Sequence, residues 1–376
     1  MEFYQIKDYS EEIFDNFFRR KIYLKLQNKV KNVAYHKPGA GLGDLVLSIP
    51  VFRALKKMFP KAKIIFFGSY ASSYASLLCD SIFKAIPYID EFVLDIEPRK
   101  KEVFKGFLSF FREYFRKFDL IVSGQIKFLP SLRLWLLFPN FYISRNPLFS
   151  RWKVLNFKFY KEREVHVISK MIAPIKVLGL KYVDLSPKIE IPKIYISLCE
   201  NYLNRFSGPF ISIIPSAGDP YKNWPVNRYI LLADKLSQMG YKIILIGSER
   251  EKDILLEVKN GMTTQPIIPL LEERKFGEDP IYSVGLLKFS LLAIGNDSGG
   301  LHLASLAGCP VIGIYGPTSP IKWFPLGMRN IAIYKNFKCS PCTKDELKNC
   351  KIEMKCLRDI TIEEIVEAVK LILKTT

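Results

Sequence analysis

The chain has 376 residues, of which 49% are hydrophobic, 14% aromatic and 25% charged, enough apolar material for two domains of ordinary size. That balance excludes a disordered chain, a collagen-like repeat and a small disulfide-stapled scaffold. The 56 Lys and Arg against 37 Asp and Glu leave a net charge of +19, and most of that excess lies in residues 1–200, so the first half suits an anionic partner.

Residues 1–30 read as a helical extension, amphipathic and with a charged face. Their first stretch, MEFYQIKDYSEEIF, carries acids where a secretory signal needs an apolar core. No run of about 18 uncharged apolar residues marks a membrane-crossing helix, and the expectation is a cytoplasmic protein. The pattern then becomes strand, glycine turn, helix. Asn32–Lys37 is predicted as a strand, Leu45–Met58 as an amphipathic helix, Lys63–Gly68 as a buried strand and Ala71–Leu78 as a small-residue helix. Phe92–Asp95 and Asp119–Ser123 are further strands with a helix between them. In that helix Phe104, Phe107, Leu108, Phe111, Phe115 and Phe118 recur at helical spacing among Lys101, Lys105, Arg112, Arg116 and Lys117. Two readings fit: a crossover helix packing its Phe face on a sheet, or an aromatic and basic surface for an anionic membrane interface.

Residues 181–208, with Asp184, Pro187 and Pro192, suit a linker. A second series follows, with strands predicted at Phe210–Ile214, Lys242–Ile246, Leu291–Gly295 and Val311–Tyr315. Helices are predicted at Asn227–Met239, Glu249–Asn260, Tyr282–Phe289 and Gly300–Ala307. Alternation of this kind gives parallel sheets covered on both faces. The expected architecture is two doubly wound α/β domains, 31–190 and 191–376, with ligands at the carboxyl ends of the strands.

Three loops carry the chemistry. Pro38-Gly39-Ala40-Gly41-Leu42-Gly43-Asp44 follows the first strand, where glycines permit a tight turn and a helix N-terminus receives a polar ligand. It lacks a full G-x-G-x-x-G and no Lys-Ser/Thr follows. Asp44 either caps the helix or projects a carboxylate as a general base. Pro215-Ser216-Ala217-Gly218-Asp219-Pro220-Tyr221-Lys222-Asn223-Trp224-Pro225 joins small residues to a Lys, which either balances a diphosphate or lies solvated at the surface. Gly295-Asn296-Asp297-Ser298-Gly299-Gly300-Leu301-His302 opens a helix whose N–H groups and Ser298 hydroxyl suit a phosphate. His302 in its first turn is a further donor to that anion or a structural residue.

Gly41-Leu42-Gly43-Asp44, Pro215-Ser216-Ala217 with Lys222-Asn223-Trp224-Pro225, and Gly295-Asn296-Asp297-Ser298-Gly299 with His302 and Gly316-Pro317-Thr318 resemble the motifs of glycosyltransferase family 9, the heptosyltransferases of lipopolysaccharide inner-core synthesis. The resemblance runs from about residue 32 to 370 and points to the heptosyltransferase II type. It implies a GT-B fold, two Rossmann-like domains facing each other across a cleft, with acceptor on the first and nucleotide sugar on the second. It implies an inverting transfer of heptose from ADP-heptose, with Asp44 as general base on the Gly41 and Gly43 acceptor loop. Ser216, Lys222, Ser298, Gly299 and His302 are implied diphosphate ligands, Asp297 lies at the donor site and Glu249 holds the adenosine ribose. Lys222 then also stabilises the departing diphosphate, with no cofactor needed for the chemistry. The implied acceptor is a phosphorylated lipid A and inner-core glycolipid at the cytoplasmic face of the inner membrane, which suits the basic first half. The alternatives are another GT-B transferase or epimerase with a different donor, and a basic membrane-associated binding protein without catalysis. No nucleic-acid-binding signature is present.

Cys79, Cys199 and Cys309 stand singly in apolar surroundings and read as buried reduced residues. Cys339-x2-Cys342-x7-Cys350-x5-Cys356 is different: the first pair has metal-knuckle spacing and the second is wider. A structural zinc or iron, a disulfide and free thiols all fit.

Overall fold

The computed structural model describes residues 26, 29–38, 41–70, 80–96, 111–123, 132, 134–137, 139–144, 165–176, 178–180 and 182–374. They fall into two compact units, one ending at Leu185 and the other beginning at Ser186.

The first unit holds β1 (Asn32–Pro38), β2 (Lys63–Tyr70), β3 (Glu91–Ile96), β4 (Leu120–Ser123) and β5 (Phe141–Ser144). They form one parallel sheet in the order β3-β2-β1-β4-β5, with Val33 opposite Ile64 on one side and Leu120 on the other. The strands are apolar runs because both faces are covered. Tyr35 meets Phe52 of the helix Leu42–Met58 edge-on at 5.6 Å. Ala34, Ile65, Phe67 and Ile121 form the opposite face with Phe118 and Leu134.

The helix begins at Leu42, three residues before its predicted start, so Asp44 sits inside the first turn. Asp44 itself is the reason: its Oδ2 accepts from Gly41 N–H at 3.2 Å, closing the helix entry. β5 and the helix Val167–Lys176 are elements the sequence reading lacked. The predicted helix 71–78, Cys79, residues 104–110 and almost all of the N-terminal extension lie outside the described residues. Of the aromatic series within them, Phe118 is buried, Phe111 packs on the sheet cluster and Phe115 is exposed.

The second unit holds β6 (Phe210–Ile214), β7 (Lys242–Leu245), β8 (Ser290–Asn296), β9 (Val311–Tyr315) and β10 (Ile331–Tyr334), in the parallel order β10-β9-β8-β6-β7. Beyond β7 the chain makes a parallel bridge from Ile267 to Ile244, with Ile267 N–H on Ile243 O at 2.8 Å. Counting that bridge as a vestigial strand, the sheet has the doubly wound order 3-2-1-4-5-6. Helices Val226–Gln238, Lys252–Gly261 and Ile362–Lys374 cover one core built around Trp224, Tyr229, Ile213, Leu245 and Ile294.

The linker reading holds for 182–192, which has no regular structure, and fails at Lys193–Leu203, which is a helix. Pro192 is the residue that misleads. It occupies the N-cap at φ −58°, where the missing N–H costs nothing, so it starts a helix instead of breaking one. Cys199, Tyr202 and Leu203 give that helix its buried stripe.

Candidate functional site

In each sheet the chain departs from two neighbouring strands in opposite directions at one place, between β1 and β4 and between β6 and β8. Ligands of doubly wound sheets bind beyond the carboxyl ends of the strands at such a reversal, and the sequence motifs lie there.

In the second unit, Asn296 at the end of β8 is wholly buried and organises two loops. Its Nδ2 donates to Pro215 O at 3.0 Å, and its Oδ1 accepts from Trp224 N–H and from the Tyr229 hydroxyl, both at 2.9 Å. Asn223 Oδ1 accepts from Ala217 N–H at 2.8 Å, closing the first loop on itself. Trp224, also wholly buried, donates from Nε1 to Ile360 O at 3.2 Å. This frame sets Lys222 on one loop against Asp297 on the next, with Nζ to Oδ2 at 2.8 Å. Asp297 is 7% exposed and Lys222 26%, so the lysine is the member of the pair whose side chain reaches solvent.

Ser298 is the N-cap of the helix Gly299–Leu306, and its Oγ is buried with no hydrogen-bond partner among the described residues. Gly300 is required by packing: a Cβ there would lie 2.9 Å from Ile214 Cγ2 on β6. His302 in the same first turn and Ser216 after β6 are both buried. Ser216, Lys222, Asp297, Ser298, Gly299 and His302 therefore come to one edge of one sheet, on the exits of two adjacent strands. Glu249 lies past β7, in the short turn Glu249–Glu251, paired with Lys252 at 3.5 Å. Glu251 does the capping there: its Oε2 accepts from Ser248 N–H at 2.7 Å and Ser248 Oγ at 2.8 Å.

In the first unit, Asp44 Oδ2 is occupied by Gly41 N–H, and Oδ1 lies 3.0 Å from Lys37 Nζ at the end of β1. Oδ1 is buried and makes no directed hydrogen bond among the described residues, so its contact with Lys37 is electrostatic. Gly41 has φ −92° with open space about it, so the tight-turn role expected of its glycine is absent there; Gly43 lies within the helix and Gly39 lies outside the described residues. The Lys37–Asp44 pair and the bonds of Asn296 are contacts the sequence reading missed. Alternation along β1 from Tyr35, which faces the helix, was the signal for Lys37; nothing in the sequence singles out the fan of bonds around Asn296.

The six described cysteines are free thiols. Burial pushes the thiols of Cys199 and Cys309 up to about 12 each. Burial, then Cys339, Cys356, Glu346 and Cys350 in turn, raise Cys342 to about 11, so the other three clustered cysteines lie within electrostatic reach of it. They do not form a ligand set: among the described residues no group of three or more His, Cys, Asp or Glu side chains is placed to hold a metal. Cys342 Sγ donates to Cys339 O at 3.3 Å and Cys350 Sγ accepts from Met354 N–H at 3.3 Å, so two of the sulfurs are turned into backbone contacts. The C-x2-C spacing is thus not met by the geometry a zinc or iron requires.

The sequence profile of glycosyltransferase family 9 (heptosyltransferase) matches residues 144–352, more than half of the chain. The chain belongs to that family. It is a glycosyltransferase. Lipopolysaccharide heptosyltransferase 3 of Escherichia coli (strain K12) is 24% identical over 345 residues, 88% of this chain and 95% of the relative. Among solved structures, a glycosyl transferase family 9 protein from Veillonella parvula DSM 2008 superposes with TM-score 0.76 at 21% identity, over 92% of this chain and 98% of its own. The structure of E. coli ADP-heptose lps heptosyltransferase II gives 0.66 at 21% identity, over 92% and 99%. An iron-containing dodecameric glycosyltransferase, TibC from enterotoxigenic E. coli H10407, gives 0.53 at 16% identity, over 92% and 77%. These likenesses carry the fold: this family 9 chain is α/β, two Rossmann-like units of the GT-B class. No helix among its described residues is long and apolar enough to cross a membrane.

Proposed function

We propose that this family 9 glycosyltransferase moves a heptose from ADP-heptose to the inner core of lipopolysaccharide, with inversion at the anomeric carbon. The observation that carries the reading is the Lys222–Asp297 pair, held at 2.8 Å on the frame of Asn296. A buried acid beside a partly exposed lysine keeps that cation in place until a diphosphate takes it. The names of the relatives support the donor and the acceptor class.

Residues 191–376 bind the donor and residues 31–190 the acceptor. Ser216, Ser298, Gly299 and His302 ligate the diphosphate with Lys222, and Glu249 holds the ribose. The acceptor hydroxyl oxygen attacks the anomeric carbon as the bond to the diphosphate oxygen breaks, through a transition state of oxocarbenium character. Asp44 takes the hydroxyl proton, and the electron pair of the broken bond leaves on ADP, where Lys222, His302 and the helix N-terminus at Gly299 meet the growing negative charge. Those groups bring the positive charge that a divalent cation supplies in other transferases. The acceptor is a phosphorylated lipid A and inner-core glycolipid at the cytoplasmic face of the inner membrane. The exposed Phe115 among exposed Arg112, Arg116 and Lys117 supports contact with that surface.

Incubation with ADP-heptose and a set of truncated inner-core glycolipids, read by mass spectrometry, tests the proposal. One acceptor should gain a single heptose residue while an equal amount of ADP is released. Transfer from UDP-glucose in preference to ADP-heptose, or no product from any acceptor, would overturn it.

A further inference from the structure

The exit of β1 carries a second charged residue that the proposed chemistry does not use. Tyr35 faces the helix Leu42–Met58, and two residues further along β1 Lys37 lies on the same side of the strand. Its side chain is 15% exposed, and its ammonium lies 3.0 Å from Asp44 Oδ1. An ammonium withdrawn from water is costly unless a counter-charge meets it, so this lysine is placed for the carboxylate and not for solvent. From the other side, Gly41 N–H holds Oδ2 at 3.2 Å. A hydrogen bond on one oxygen and a cation against the other restrain the carboxylate from both sides, which neither does alone. Among the described residues Oδ1 accepts no directed hydrogen bond.

We infer that Lys37 is a positioning residue for the transfer, acting through Asp44: it sets the orientation of the carboxylate that receives the acceptor proton. This rests on the reading of Asp44 as the general base. Reaction rates fall steeply when a base is held loosely, so the effect of losing Lys37 belongs in turnover. Substrate affinity is the wrong place to look for it.

The experiment uses the full chain with ADP-heptose and a purified truncated inner-core glycolipid, and compares Lys37→Met, Lys37→Arg, Asp44→Asn and the double variant Lys37→Met/Asp44→Asn. Lys37→Met should lower kcat about 10- to 100-fold, the range of a charge-assisted contact, with the glycolipid KM and ADP affinity within about twofold of the parent. Lys37→Arg, which restores a cation, should recover most of the lost turnover. In the Asp44→Asn background, Lys37→Met should have no further effect, because a residue that works through another adds nothing once that partner is gone.

Five results overturn the inference. A raised glycolipid KM at unchanged kcat makes Lys37 a ligand of the acceptor. A lowered melting temperature with normal kcat in Lys37→Met makes it a structural residue. Additive losses in the double variant separate it from Asp44. If Asp44→Asn turns over like the parent, the base reading itself falls and takes this role of Lys37 with it. A dead Asp44→Asn beside a fully active Lys37→Met sinks the positioning role alone.

Discussion

Replacing Asn296 with alanine separates the frame of the donor loops from the chemistry they carry. Three buried partners lose their bond: Pro215 O, Trp224 N–H and the Tyr229 hydroxyl, at 3.0, 2.9 and 2.9 Å. A buried polar group left without a partner costs about 1–3 kcal/mol. Allowing for relaxation around the site, Asn296→Ala should cost about 3–5 kcal/mol, a large share of the usual 5–15 kcal/mol of a folded domain. The loss should be local, because all of these bonds lie within residues 186–376. Calorimetry of the full chain should show the heat absorption of that unit moved to lower temperature while that of the first unit stays in place. ADP affinity should fall in parallel, since Trp224 and Asn223 set the position of Lys222. A melting profile within about 2 °C of the parent would refute the reasoning, because it would mean that the three partners find other bonds without cost.

Other predictions follow the same geometry. Lys222→Met should lower transfer by about 100- to 1000-fold, as removal of a placed donor at an oxyanion does, and steady-state kinetics showing less than a tenfold loss would remove it from that role. Asp90 provides a test of stability against pH. Partial burial alone pushes its carboxyl up, but Ile64 N–H and the Lys56 ammonium, each at 2.8 Å from Oδ2, together with Lys63, hold it below its ordinary 3.8. A group lowered on folding stabilises the fold above the unfolded pKa and loses that effect as pH falls through the folded one. Asp90→Asn should therefore cost about 1 kcal/mol at pH 7, a modest figure because the side chain is 39% exposed. The gap should close below about pH 4 in urea titrations. Maleimide labelling near neutral pH should spare Cys199 and Cys309, whose thiolates are suppressed by burial, and modify the exposed Cys339 first. Modification of native Cys309 would contradict the packing around it. Elemental analysis should find no stoichiometric zinc or iron, and one ion per chain would require the clustered side chains to regroup and Cys342 to give up the proton it donates to Cys339 O.

Periodicity revealed the strands that lie deep in a sheet, because a run buried on both faces is apolar at every position; Val311–Tyr315 was bounded to the residue. It did not reveal Phe141–Ser144, a four-residue edge strand with too little pattern to stand out. The helix at Lys193–Leu203 was hidden by Pro192, which reads as a breaker when its place before the first turn is unknown. The candidate site shows the same division. Lys222, Asp297 and Ser298 were legible as residue types at loop exits, because phosphate chemistry draws on few kinds of side chain. Their arrangement was not legible, since it depends on Asn296 reaching across to Pro215, 81 residues away in the chain. Lys37 escaped notice for a related reason: a lysine at a strand end looks solvated until the carboxylate opposite it is seen.

The loop leaving β9 is tied down from outside the sheet. Ser340 Oγ donates to Gly316 O at 2.6 Å, and Cys342 N–H donates to Pro317 O at 2.8 Å. Gly316 itself has no room for a methyl group, which would fall 2.5 Å from Leu357 Cγ and 3.1 Å from Cys356 Sγ. The cysteine-bearing excursion is thus a strut pressed against the exit of a central strand, one residue short of Thr318. Bulk attached to the buried Cys356 sulfur, by alkylation or oxidation, should strain the packing against Gly316. A modification of that thiol should therefore be felt along the edge of the sheet from which the loops after β6 and β8 also leave.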